Sequence, residues 1–96
     1  MNVIVFGRSK KQAEKQLSRI VVDFRIPFGT IQTSNKILFP NGDHYSAVGT
    51  NDSSLGMRCD KAYVHHMINK DVIDYLIWPC LASSYLAIND QICFYE

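Results

Sequence analysis

The sequence predicts a small single-domain α/β fold, one sheet of about five to six strands with two main helices packed on it. Three observations carry that reading. Asn2 to Phe6 (Asn-Val-Ile-Val-Phe) and Lys61 to His65 (Lys-Ala-Tyr-Val-His) are short apolar runs, the pattern of strands covered on both faces. Each is followed by a segment with helical patterning. Between them lie β-branched, alternating stretches punctuated by turn residues. At 96 residues and 47% hydrophobic composition, residues 1–96 can form one core and have no room for a second.

The first helix is the best-defined element. Gly7 and Arg8 turn the chain, and Ser9 with Gln12 three residues later matches a capping box. Ala13, Leu17, Ile20, Val21 and Phe24 then form one apolar stripe, with Lys10, Lys11, Lys15 and Arg19 away from it. Pro27 blocks continuation, so the helix is expected to end around Asp23 to Arg25. Thr30 to Thr33 reads as a strand that turns at Ser34-Asn35 into Lys36 to Phe39. Pro40-Asn41-Gly42-Asp43 is a strong turn, and His44 to Val48 returns as the hairpin partner.

Gly49 to Gly56 is a polar loop bounded by glycines. After the Lys61 to His65 strand, Asp71 is expected to open a helix through Val72, Ile73, Tyr75, Leu76 and Ile77, which Pro79 kinks or ends. Tyr85 to Ile88 and Ile92 to Tyr95, either side of Asn89-Asp90, read as a closing hairpin.

Composition narrows the functional classes. No apolar run is long enough to span a bilayer, and basic residues interrupt the only candidate signal segment, so a cytoplasmic protein is expected. Cys59, Cys80 and Cys93 are widely spaced with no C-x-x-C pair, which argues against a zinc ribbon or a thioredoxin motif and for reduced cysteines used as small hydrophobes. The net charge of +1 hides an asymmetry. Residues 1–25 carry six basic groups against two acids, and the remainder four against seven. Such a split marks either a solvated helix face or a surface for nucleic acid or an acidic partner.

The middle of the chain resembles a known arrangement. Lys36 to Asp43 (Lys-Ile-Leu-Phe-Pro-Asn-Gly-Asp), then Gly56-Met57-Arg58-Cys59-Asp60, then the strand ending at His65-His66, is similar to the stretch leading into the Walker B strand of the P-loop ATPase domain in phage terminase large subunits. Pro79-Cys80-Leu81 resembles that family's following Pro-x-Leu segment, and the opening strand with Ser9 to Ala13 resembles its second strand-helix unit. The departures bear on function. A phosphate-binding loop needs G-x-x-x-x-G-K-[ST], and the sequence has none. Where the family carries an aspartate for magnesium and a glutamate for the attacking water, this chain has His65 and His66. The resemblance therefore implies an ATPase-like fold that has lost hydrolysis, as in a viral or mobile-element accessory protein.

Several candidate sites follow. Lys10, Lys11, Lys15 and Arg19, with Arg58 from the Gly-x-Arg-x-Asp loop, are candidates for binding a partner or nucleic acid; the plain alternatives are a solvated face and, for Arg58, a salt bridge to Asp60 or a loop carboxylate. Cys59, His65 and His66 are candidate transition-metal ligands, although adjacent strand residues point to opposite faces. His44 beside Asp43, with Asn51 and His65 or His66, faintly resembles a histidine-asparagine-histidine nuclease. No cysteine stands in a local nucleophile pattern. The leading expectation is a non-enzymatic protein without cofactor that binds a protein partner or itself. The alternatives are a nucleic-acid-binding module on helix 9–24 and a metal-dependent nuclease or hydrolase.

Overall fold

The computed structural model describes residues 1–22, 28–50 and 57–96. Those residues form a six-stranded mixed sheet in the order β2-β3-β4-β1-β5-β6. The strands are β1 (Asn2–Gly7), β2 (Ile31–Gln32), β3 (Lys36–Leu38), β4 (His44–Gly49), β5 (Lys61–His65) and β6 (Ile92–Tyr95). β4, β1, β5 and β6 run parallel, while β3 and β2 extend the β4 edge as an antiparallel meander. No helix among the described residues is long and apolar enough to cross a membrane.

β1 is the apolar run at the start of the chain, and it occupies the centre. Val3, Val5 and Phe6 are fully buried and Ile4 almost so. Alternation sends Val3 and Val5 to one face and Ile4 and Phe6 to the other. Helix α1 (Lys10–Val22) covers the first face with Ala13, Leu17, Ile20 and Val21, which pack with Ile37, Tyr45 and Ala47. Ser9 caps it as expected, the Gln12 N–H donating to Ser9 Oγ at 3.2 Å; the reciprocal bond is shifted by one residue, with the Arg8 N–H rather than that of Ser9 donating to Gln12 Oε1 at 2.7 Å. Phe24, Pro27 and the expected helix end at Asp23 to Arg25 lie outside the described residues.

A second helical unit covers the opposite face. It comprises α2 (Lys70–Val72), a π-helical stretch at Ile73–Ile77 and α3 (Trp78–Cys80). Asn69, not Asp71, caps it, its side chain accepting from the Asp71 N–H at 3.0 Å. Pro79 falls in the last turn of this unit, in line with the expectation that it kinks or ends the helix. The wider π turn precedes it and accommodates a residue with no N–H and a bulky ring, and the helix closes at Leu81. Leu81, Cys80 and Ile77 pack with Ile4, Phe6, Ala62 and Val64 as the second half of the core.

The hairpin at Asn41-Gly42 is present, with Gly42 at φ 94°. The closing hairpin is not. Tyr85 makes no strand, Ile88–Gln91 is a short helix, α4, and Ile92–Tyr95 pairs parallel with β5. A parallel neighbour needs a crossover, and the unit on 70–91 supplies it. The β1-to-β4 connection displaces the chain one way with its helix on one face. The β5-to-β6 connection displaces it the other way with its helix on the opposite face, so the two crossovers share one hand.

Gly7 closes β1 where the chain doubles back into α1. A Cβ there would meet Ala13 N at 2.6 Å and Ser9 O at 2.7 Å, both backbone atoms. We expect Gly7→Ala to lower unfolding stability by about 1–3 kcal/mol, the range for overpacking a tight site, measured as a reduced midpoint in urea. Ile77→Ala, which empties a fully buried position, is expected to cost about 2–5 kcal/mol in the same assay.

Candidate functional site

Among parallel strands, ligands bind at the carboxyl ends, in the crevice where successive connections leave to opposite sides. Here that point lies between β1 and β5: the chain leaves β1 toward β4 and leaves β5 toward β6. The loop after β1 brings Arg8, Ser9 and the start of α1. The end of β5 brings His65 and His66. Tyr95, at the end of β6, closes the group and donates its hydroxyl to the Phe6 carbonyl at 2.7 Å.

His65 is the buried member of this group. Register with Val5 and Tyr63 puts it on the α1 face, with 8% of its surface exposed. Its ring stands edge-on to Tyr95 at a centroid distance of 5.3 Å and lies 4.6 Å from the His66 ring. Nδ1 accepts the Met67 N–H at 3.1 Å, so the neutral ring carries its proton on Nε2. Burial, with smaller contributions from the neighbouring His66 and Arg8, holds its pKa below the ordinary imidazole value. The His66 ring is tied to the Tyr95 carbonyl through Nδ1 at 3.2 Å. Burial pushes the Tyr95 phenol up to about 12, so it stays a hydrogen-bond donor.

A cavity of about 190 Å³ opens beside this group, lined by Gln12, Lys15, Gln16, Arg19, His65, Tyr95 and Glu96. Spacing of three and four along α1 places Gln12, Lys15, Gln16 and Arg19 on one flank, facing β5 and β6. The helix thus divides the basic residues expected from sequence. Lys15 and Arg19 join His65, while Lys10 lines a separate depression with Asn35, Lys36, His44 and Ser46. Lys11 is exposed on α1.

Arg58 does not join them. It sits before β5, at the amino ends of the strands, where its carbonyl accepts from Asn2 Nδ2 at 2.7 Å, and it lines a pocket with Met57, Leu76, Pro79 and Cys80. The expected bridge to Asp60 is not made. Asp60 Oδ2 instead accepts the Asn2 N–H at 2.8 Å.

The metal candidates are likewise separated. Cys59 is buried before β5, its N–H on the Cys80 carbonyl, whereas His65 ends the strand. The strand alone imposes about 13 Å of rise between those ends. Burial pushes the Cys59 thiol up to about 12 and raises Cys80, so both are protonated, unsuited to ligation or attack. Cys80 Sγ donates to the Leu76 carbonyl at 3.1 Å. Among the described residues no three His, Cys, Asp or Glu side chains converge as a metal site. His44 begins β4 at the amino ends, facing Asn2 Oδ1 at 3.4 Å, and so stands at the opposite end of the sheet from His65 and His66. Asn51 lies outside the described residues.

A second surface lies beside β6, on the face opposite α1. Lys70, Ile73, Asp74, Trp78, Ile88, Asn89, Ile92 and Phe94 line an open groove of about 440 Å³, mostly apolar. Phe94 is 59% exposed and Ile88 69%, with Tyr75 on the same helical unit and Tyr85 before α4 also exposed. Read as a hairpin strand, Ile88 had been expected in the sheet.

No protein-family model, curated protein or solved structure matches this chain.

The buried His65 gives a pH dependence of definite sign. Its folded pKa lies below the unfolded one, so the unfolded chain binds more protons near pH 6.5, and stability falls as the pH drops through that value. Urea midpoints between pH 8 and 5 are expected to decline, and His65→Asn is expected to flatten that decline. Tyr95→Phe should cost about 0.5–1.5 kcal/mol through loss of the bond to Phe6.

Proposed function

We propose that this protein is a protein-binding module that acts by assembly rather than turnover, and that the open edge of β6 with its apolar groove is the docking surface. The observation that carries this is a sheet edge on which no further strand lies among the described residues, beside several large exposed apolar side chains. Exposed apolar patches mark interaction sites, and open edges template pairing with another strand. The viral or mobile-element accessory role goes with the resemblance to the terminase ATPase domain, and the cytoplasmic setting with reduced cysteines used as small hydrophobes; such a module would suit both.

The occupant to which we commit is a second copy of the chain. A strand edge is complementary to itself about a two-fold axis. The Tyr95 carbonyl accepts the His66 N–H, so by the two-residue period Phe94 directs its N–H and C=O outward. A two-fold axis at Cys93 then sets Phe94 against Ile92 of the second copy and joins the two grooves on one face. Cys93, exposed on the other face, would stand opposite its own counterpart as a non-hydrogen-bonded pair. At about 4.5 Å between Cα atoms, such a pair can be bridged by a disulfide.

Size-exclusion chromatography with light scattering at high micromolar concentration is expected to give a dimer. Phe94→Lys should give a monomer, and mild oxidation should link the dimer through Cys93, with Cys93→Ser abolishing the link. A strict monomer at that concentration overturns the self-assembly. A dimer unaffected by Phe94→Lys overturns β6 as its seam. If an extended peptide binds the monomer and Phe94→Lys removes that binding, the edge is right and its occupant is another protein.

A further inference from the structure

We propose that the crevice between α1 and the carboxyl ends of β5 and β6 is a binding site for the phosphate monoester of a small molecule. It lies on the face of the sheet opposite the β6 groove and does not rest on the assembly proposed there.

Three independent features converge. The first is the topology, which gathers the carboxyl ends of β5 and β6 against one flank of the thirteen-residue α1, the end of the parallel strands at which ligands bind. The second is His65. It is more than nine-tenths buried and lines the cavity, its Nδ1 is taken by the Met67 N–H, and its Nε2–H has no partner among the described residues. That Nε2–H opens to the cavity and to solvent, where an oxyanion can accept from it.

The third is the set of side chains around it. Lys15 and Arg19 line the same cavity, and among the described residues neither forms an ion pair. Gln16 adds an amide, and the Gln12 amide group is held in place because its oxygen accepts from the Arg8 N–H. The Arg8 side chain acts on His65 from the β1 side.

Size selects the ligand class. At about 190 Å³ the cavity is smaller than the roughly 300–1,000 Å³ pockets that enclose whole drug-sized ligands. It suits one tetrahedral oxyanion, with the rest of the molecule outside. A guanidinium, an ammonium and a neutral imidazole N–H are charge-assisted or direct donors to such a group. Glu96 is the acid on the cavity rim, and with no cation paired to it the phosphate would compete with it for Lys15 and Arg19. The two cations match the two charges of a monoester better than the single charge of a diester.

The experiment is a titration of ¹⁵N-labelled protein at constant ionic strength, following the His65 imidazole signals. Its arms are inorganic phosphate, ribose 5-phosphate, chloride and a single-stranded oligonucleotide. Saturable shifts of His65 are expected with phosphate and ribose 5-phosphate and none with chloride. Lys15→Gln and Arg19→Gln, exposed changes on a helix surface, should each weaken binding about tenfold or more. Arg58→Gln, at the other end of the strands, should leave binding unchanged. His65→Asn should abolish it, with circular dichroism verifying the fold. The proposal is overturned if His65 shows no saturable shift with either phosphate, if Lys15→Gln and Arg19→Gln bind as the parent does, or if the oligonucleotide binds and ribose 5-phosphate does not.

Discussion

Everything in this fold depends on β1 having no free surface. It is hydrogen-bonded along both edges, to β4 and β5, and its side chains are buried on both faces. A strand with that much buried backbone must pair every N–H and C=O. Parallel neighbours do so only through crossovers, and crossovers put helices on the faces. The two-sided cover and the carboxyl-end crevice therefore follow from one constraint. The tight turn at Gly7 belongs to it as well, because α1 must double back at once to reach Val3 and Val5.

The same constraint explains the asymmetry of the surface. α1 packs on β1 and β4, and the 70–80 helical unit on β1 and β5, so β6 is left at the margin. Of its groove-side residues, Ile92 packs at the margin of the second half of the core, while Phe94 is largely exposed. On the other face the margin is polar. There the flank of α1 and the last residues of β5 and β6 enclose His65, Lys15 and Arg19. An apolar and a cationic surface thus flank the same last strand, one on each face.

Much of this was legible in the chain. β1 and β5 announced themselves as continuous apolar runs because burial on both faces removes alternation. The Ser9 cap, the α1 stripe and the Asn41-Gly42 turn rest on local geometry, so they read directly. Tyr85 to Tyr95 did not. A short apolar run beside Asn89-Asp90 has the same local signature in a hairpin or a helical turn, and long-range pairing with β5 decides between them. The candidate site was half legible. Lys15, Arg19 and His65 stood out by residue type, but Gln12, Gln16 and Tyr95 carried no signal, because a cavity wall is recognisable only by what stands opposite.

The sequence by itself determined the class of fold, two strands buried on both faces, the first helix and the basic character of one helix face. Periodicity and capping are local and need no partner. Only the tertiary structure decided which charges act together. It parted Arg58 from the α1 cations and Cys59 from His65, and it set His44 at the opposite end of the sheet from His65 and His66. Strand order, not spacing along the chain, sets those distances, since a parallel sheet gathers one end of every strand and holds the other end a strand length away.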